Sequence, residues 1–544
     1  MPTPPKNHTT LTAALIATTL TTPILAPNSP PNHYTPTTAH PTTWNHYTTQ
    51  QPNWNPNNCT PTTTQPTTNN LHIECANIHA PLDHTNLAKG PITIHLTRVR
   101  STQPPPPPNH TRTPTELLNH PTPPKRTLIV NPGGPGAPAA WLAPALAAKH
   151  PNLLTTHDII AIDPRGSDNS TPIHCPTIDD GYTELRNATP TQITDMQKAV
   201  RTTVHLCNQQ QGHLLPHLST TATAHDIDLT RRILNTPTID FYGISAGTWL
   251  GATYARLHPL TTGRFILDGN TQFTTTWRNS FAQQPHGFQR RLEQQFLPWL
   301  ARHHTTYHLG NTPHATKTTY TTIRTAIANG HIPNTTARAF DQQTITNLYS
   351  NEGFLNLAQQ LTKLKQHTQK TPPTPIPSPP PHPTQRPATP EDTLYNAIQC
   401  NDTPHHDNEN SYAHEGQTLG RAYPLIGWEW LTNPCAYWPT TPNPTPNTPL
   451  PPLLMIQAEL DPATPLEGAL AAHRAEPATR MIGIEDEGSH GTYLQGNPCA
   501  TPLINTYLTT GKLPEADIVC PGTPLPNENR LYPVRGDLHN DLTP

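Results

Sequence analysis

One serine stands between two glycines, Gly243-x-Ser245-x-Gly247. It follows a strand-like run at 238–242 and opens a helix-like run at 248–258 that stops at Pro259. A chain turning this sharply from strand to helix presses its flanking backbone together. Glycine removes the side chains that would collide and leaves the serine hydroxyl exposed at the helix N-terminus. Serine is scarce in this chain, and threonine stands almost everywhere else a hydroxyl serves. A bare tight turn with no chemistry is the bland reading. The chemical one is a nucleophile, which at neutral pH needs a base, and the base needs an orienting acid.

For a serine on such a turn the partners come in the order acid, then histidine. Asp461 follows the strand-like run 453–460. His490 follows the next strand, in Gly488-Ser489-His490-Gly491. One helix-length segment, 466–475, and one strand separate them, the spacing that returns both loops to one sheet edge. The helix start after Asp461 favours an ionised carboxylate, and Thr464 is expected to tie that loop by a side-chain to backbone bond. Taken singly, Asp461 reads as a turn or capping residue, and His490 as one of 32 histidines, nearly all surface filler. Their order and context together select them. Alternative acids are Asp268, which ends a strand too early in the chain, and Glu459. The alternative base, His258, lies at the far end of the helix after Ser245.

A glycine-rich turn, Asn131-Pro132-Gly133-Gly134-Pro135-Gly136, follows an early strand-like run. Such a turn points backbone N–H groups at developing negative charge, and the amides of Gly134 and Ala246 are the expected oxyanion hole. A phosphate-binding loop fits less well, because no Lys-Ser/Thr follows and the glycine spacing differs.

The elements that must position these residues alternate as in a mostly parallel sheet flanked by helices. Apolar runs at 127–130, 158–162, 265–267, 453–456 and 479–484 read as buried strands, and 221–234 as a helix. The rhythm breaks after Asn270. Residues 271–440 hold helix-like segments at 281–303, 317–329 and 355–366, with a Pro-rich stretch at 371–390 that reads as a stiff linker. Five prolines at 104–108 mark another exposed loop. The expectation is an α/β core, 53–270 and 441–544, split by a helical insertion at 271–440.

A net charge of −3 with 13% charged residues argues against nucleic acid and anionic membranes as partners. Lys6 and an apolar segment at 11–26, too short to span a bilayer, read as a signal peptide ending near Ala26. A mobile leader is expected at 27–52, with no membrane anchor. Eight cysteines suit an oxidising compartment and allow 105 pairings. They cluster as Cys59 with Cys75, Cys175 with Cys207, Cys400 with Cys435 and Cys499 with Cys520, so local staples are the preferred pairing. No metal site or cofactor is expected, since Cys/His spacings of the zinc type are missing from the sequence.

These residues together resemble the secreted tripeptidyl aminopeptidases of actinobacteria, α/β-hydrolase serine peptidases related to proline iminopeptidase. The likeness rests on residues 131–136, Asp163-x-Arg165-Gly166 with Ser170, 243–248 with Tyr254-Ala255, and Arg264-x-x-Leu267-Asp268-Gly269. It continues through Ala397-Ile398-x-Cys400-x-Asp402, Asp461-x-x-Thr464-Pro465 and Gly488-x-His490-Gly491. In that family the Asp163 and Arg165 loop is scaffolding. Three positions depart: Ala246 where an aromatic is usual, Asp168 where glycine is usual, and Ala137-Pro138 where Gly-Ser is common. The resemblance implies an α/β-hydrolase fold with a helical cap. It also implies a secreted, monomeric serine exopeptidase that releases short peptides from free N-termini. Glu352, Asp402, Glu409 and Glu415 are candidates for the substrate ammonium, each more often a solvated surface charge. An esterase or amidase of the same fold, and a non-catalytic binding protein on that scaffold, are the rival readings.

Overall fold

The computed structural model describes residues 43–60, 71–102, 125–368, 384–405, 408–534 and 538–542. The signal peptide expected at 1–26, the prolines at 104–108 and most of the Pro-rich stretch lie outside them.

Nine strands form one sheet, in the order β1 (Leu71–Pro81), β2 (Pro91–Ser101), β4 (His157–Ile162), β3 (Arg126–Asn131), β6 (Ile239–Ile244), β7 (Thr262–Asp268), β9 (Leu454–Ala458), β10 (Arg480–Glu485) and β11 (Ile518–Pro521). From β4 to β11 every neighbouring pair is parallel, whereas β1 and β2 run antiparallel at one edge. The central strands read as unbroken apolar runs because both faces are covered. Ile129, Phe241, Phe265, Leu267 and Met455 pack on one side. Leu128, Val130, Tyr242, Ile266 and Ile456 pack on the other. Each such side chain contributes about 1.5–3 kcal/mol by leaving water.

A helical insertion runs from the helix Trp277–Phe281 to the turn Pro434–Tyr437. It holds its own apolar cluster, with Phe296, Trp299, Ile323, Phe340 and Leu357. The expected helix at 281–303 is three pieces: Gln284–Arg290, a π-helical turn Arg291–Phe296, and Leu297–Arg302. Those expected at 317–329 and 355–366 are Pro313–Ala328 and Gly353–His367.

Two expectations are corrected. The leader does not extend to residue 52: Trp44–Thr48 is helical, Tyr47 is buried in the main core, and Gln50 bonds to both the N–H and C=O of His79. One well-packed aromatic anchors a stretch whose composition reads as unstructured. The end of the Pro-rich stretch is not linker either. Thr384–Pro387 forms β8, antiparallel to β5 (Pro176–Asp179), and Pro390 starts the helix Pro390–Asp402. Proline suits both an edge strand and the first turn of a helix. The structure joins the cysteines as Cys59–Cys75, Cys175–Cys207, Cys400–Cys435 and Cys499–Cys520, the near-neighbour pairing.

Candidate active site

Strand order reverses between β3 and β6, and a crevice outside the carboxyl ends of parallel strands opens at such a switch point. Asn131 pairs with Gly243, and Ile244 with Asp268, so the ends of β3, β6 and β7 are level. Ser245 stands at the end of β6 with φ 59° and ψ −128°, directly before the helix Ala246–Leu257. That backbone costs about 1–3 kcal/mol for a residue with a side chain, and its neighbours leave no room for more atoms. A Cβ on Gly247 would stand 2.7 Å from the carbonyl oxygen of Asn131, and one on Gly243 would strike the carbonyl of Gly247.

The glycine turn lies against this elbow. Gly133 and Gly134 have φ of 98° and 106°. A Cβ on Gly133 would stand 2.8 Å from the Ala246 nitrogen and 2.9 Å from Ser245 Cβ. The turn is held by Gly133 N–H donating to Asn131 Oδ1 (2.9 Å) and Ala137 N–H to the Gly133 carbonyl (3.0 Å). The two amides expected to form an oxyanion hole therefore belong to abutting turns. Ala246 is itself buried in the core cluster containing Trp249.

Asp461 is fully buried, and its Oδ2 lies 2.7 Å from His490 Nδ1. Oδ1 accepts the N–H groups of Ala463 (2.9 Å) and Thr464 (3.0 Å), and the Thr464 hydroxyl donates to Oδ2 (3.0 Å). Thr464 thus ties the loop by its own amide and by a side-chain to side-chain bond, not by the expected side-chain to backbone bond. With Nδ1 donating to Asp461, Nε2 of His490 is buried without a hydrogen-bond partner. This nitrogen is available to take a proton. Burial lowers the imidazole pKa, but the charge and hydrogen bond of Asp461, with the charge of Asp268, outweigh it, and the net shift is upward.

Two contacts bring this pair to the serine. A Cβ on Gly269, next to the end of β7, would stand 3.0 Å from Asp461 Oδ2 and 3.1 Å from His490 Cε1. On Gly491 it would stand 3.2 Å from Ile244 Cγ2, beside Ser245. The insertion grips the same loop. His490 N–H donates to the Tyr349 carbonyl (2.8 Å), and the Tyr349 ring meets the imidazole edge-on at 5.5 Å. Asn351 N–H donates to Ser489 Oγ (3.0 Å), and its side-chain amide donates to Glu487 Oε1 (2.9 Å). The buried Arg291 donates to Asn351 Oδ1 (2.6 Å). No sequence signal marks Tyr349, Asn351 or Arg291, because their partners lie well over a hundred residues away.

The alternatives lie elsewhere. Glu459 Oε2 accepts the Asp486 amide (2.8 Å), and His258 bonds to His225 (3.1 Å). Asp163 Oδ1 accepts the amides of Ala139 and Ala140, and Arg165 forks onto Asp226. Both brace the region behind the glycine turn. Asp402 accepts from Thr220 N–H and the Trp277 indole, both 2.9 Å, and burial pushes its carboxyl up to about 6. Glu409 pairs with Arg201, and Glu415 with Arg278. A cavity of about 600 Å³ along the helix Pro313–Ala328 shares no residue with these loops.

A mostly parallel sheet with a strand–serine–helix elbow at its switch point, and an Asp–His pair after two later strands, defines an α/β-hydrolase. Residues 423–520 match the family model described as TAP-like protein. The tripeptidyl aminopeptidase of Streptomyces lividans is 29% identical over 72% of this chain and 76% of its own length. Serine protease Hip1 of Mycobacterium tuberculosis is 22% identical over 72% of the chain and 80% of its own. Carboxylesterase B of the same organism is 24% identical over 72% and 79%. The chain is a tripeptidyl aminopeptidase-like serine hydrolase.

Proposed function

We propose that the protein is a secreted serine exopeptidase that releases short peptides, tripeptides by its likeness to the Streptomyces enzyme, from free N-termini. The observation that carries this reading is the buried Asp461–His490 pair, with Nε2 unpartnered at the edge where Ser245 stands. The Ser245 hydroxyl attacks the peptide carbonyl carbon as its proton passes to His490 Nε2. The oxyanion meets the amides of Gly134 and Ala246. The C–N bond then breaks, the leaving amine takes the proton from Nε2, and water, deprotonated by the same nitrogen, releases the acyl group. Asp461 keeps Nδ1 protonated and stabilises the imidazolium. Four disulfides are consistent with an oxidising, extracellular setting.

An exopeptidase must also bind a substrate ammonium. Among the four carboxylates weighed for this, Asp402 is buried and bonded, and Glu409 and Glu415 are paired with arginines. Glu352 is exposed at the start of the helix Gly353–His367, three residues beyond the carbonyl that holds His490. We assign the ammonium to it.

The test compares an N-terminally free tripeptide anilide with its acetylated form. The free substrate is expected to turn over much faster, and Glu352→Gln to raise its KM about tenfold while leaving the acetylated one unchanged. Equal rates on both forms would sink the aminopeptidase reading. They would favour a hydrolase of small esters or amides, the reading that the likeness to a carboxylesterase supports.

A further inference from the structure

We infer that Asp268 is a positioning residue that ties the nucleophile to the base and holds the base's loop in register. Asp268 ends β7, fully buried, opposite Ile244 on β6. Its backbone carbonyl accepts the Ser245 N–H at 3.0 Å. Its carboxylate accepts the N–H groups of Thr492 (3.0 Å) and Tyr493 (2.8 Å), two and three residues past His490, and the Tyr242 hydroxyl (2.9 Å). One residue therefore bonds to the elbow by its main chain and to the histidine loop by its side chain.

A capping job alone does not call for a buried charge, which is costly where no cation neutralises it. Asp268 has no arginine or lysine among its bonded partners. What faces it is Tyr242, Tyr493 and His490. Burial pushes both phenols up, so they stay neutral. Burial also pushes the Asp268 carboxyl up to about 6, against hydrogen bonds from Tyr493 N–H, the Tyr242 hydroxyl and Thr492 N–H that pull it down. Facing His490 are Asp461 at Nδ1, the Tyr349 ring from the insertion, and Asp268. Arg291 lies further out, with Glu487 and Asp461 as its charged neighbours. Above its own titration the ionised Asp268 adds a second negative charge that supports the imidazolium formed when Nε2 takes the serine proton.

The inference rests on Ser245 and His490 acting as proposed, and the test separates the two. The rate at which a phosphonofluoridate labels Ser245 is followed against pH in the wild type and in Asp268→Asn, with His490 titrated by its downfield Nδ1 proton resonance. The variant is expected to label at least about tenfold more slowly at its optimum. Its histidine pKa, and with it the acidic limb, is expected to fall by about half a unit or more, because a charge favouring the imidazolium is gone. Slower labelling with an unmoved histidine pKa reduces Asp268 to scaffolding and overturns the inference, as does labelling at the wild-type rate. No adduct on Ser245 in the wild type removes the serine reading itself. If Asp268→Asn does not fold, Tyr242→Phe, which deletes one hydroxyl donor and spares both amide bonds, is expected to label about two- to fivefold more slowly. A wild-type rate there also overturns the inference.

Discussion

Ser245 is shaped by backbone lying close against it. Gly243 and Gly247 clear the space around it, Gly133 lies against it from β3, and the Asp268 carbonyl takes its N–H. His490, by contrast, hangs between the core and the insertion. The core supplies Asp461 and the amide bonds to Asp268. The insertion supplies the Tyr349 carbonyl and the Arg291–Asn351–Glu487 chain. One half of the site relies on close backbone packing that a single methyl group disrupts. The other relies on polar bonds across distant segments, which a remote side chain can loosen. In this protein the insertion is therefore more than a lid, because it shares in holding the proposed base.

The two halves should fail differently. Gly133→Ala is expected to have the largest effect, because the new Cβ would crowd the Ala246 nitrogen at a φ that alanine rarely adopts. Turnover should fall by about 10²–10³, the scale of losing an oxyanion donor, with the fold retained by circular dichroism. Asn351→Ala attacks the other half from the insertion. It strips a donor from buried Glu487 and an acceptor from Arg291. We expect stability to drop by about 2–3 kcal/mol in urea titration and kcat to fall about tenfold, with KM changed less.

A pH profile sharpens the contrast without mutation. The base must be neutral to act, and Asp461 and Asp268 shift His490 upward. Activity should therefore be lost as pH falls through a midpoint above the ordinary histidine value of about 6.5. A midpoint below that value would mean that burial, not the carboxylates, governs the imidazole. The smallest effect on catalysis is expected from replacing Cys59 and Cys75 together by alanine. This should cost about 3 kcal/mol of stability through the freed loop and leave the rate unchanged.

Glycine spacing, chain order and strand context made Ser245, Asp461 and His490 legible as a set, and five of the central strands were legible as apolar runs. Other features of the sequence were passed over. In β2, Ile92, Ile94 and Leu96 alternate at period two, and Thr189 with Gln192 forms a capping box for the 22-residue helix Pro190–Gln211. The helix around Tyr47 was hidden by a Thr/Pro/Asn/His background that looks alike in loops and in ordered segments.

By itself the sequence determined the local geometry. An elbow of two glycines, a glycine turn and alternating apolar runs are short-range features, set by steric clash and by burial on two sheet faces. Only the tertiary structure decided what holds the histidine. The Tyr349 carbonyl, the Asn351 bonds, the buried Arg291 and the carboxylate of Asp268 are long-range hydrogen bonds. Their partners lie between about 136 and 225 residues away, too far for any pattern in a single chain to pair them. The bond from Asp268 to the loop after His490 exists because β7 and β10 end level on one sheet, and that is a property of the assembled strands.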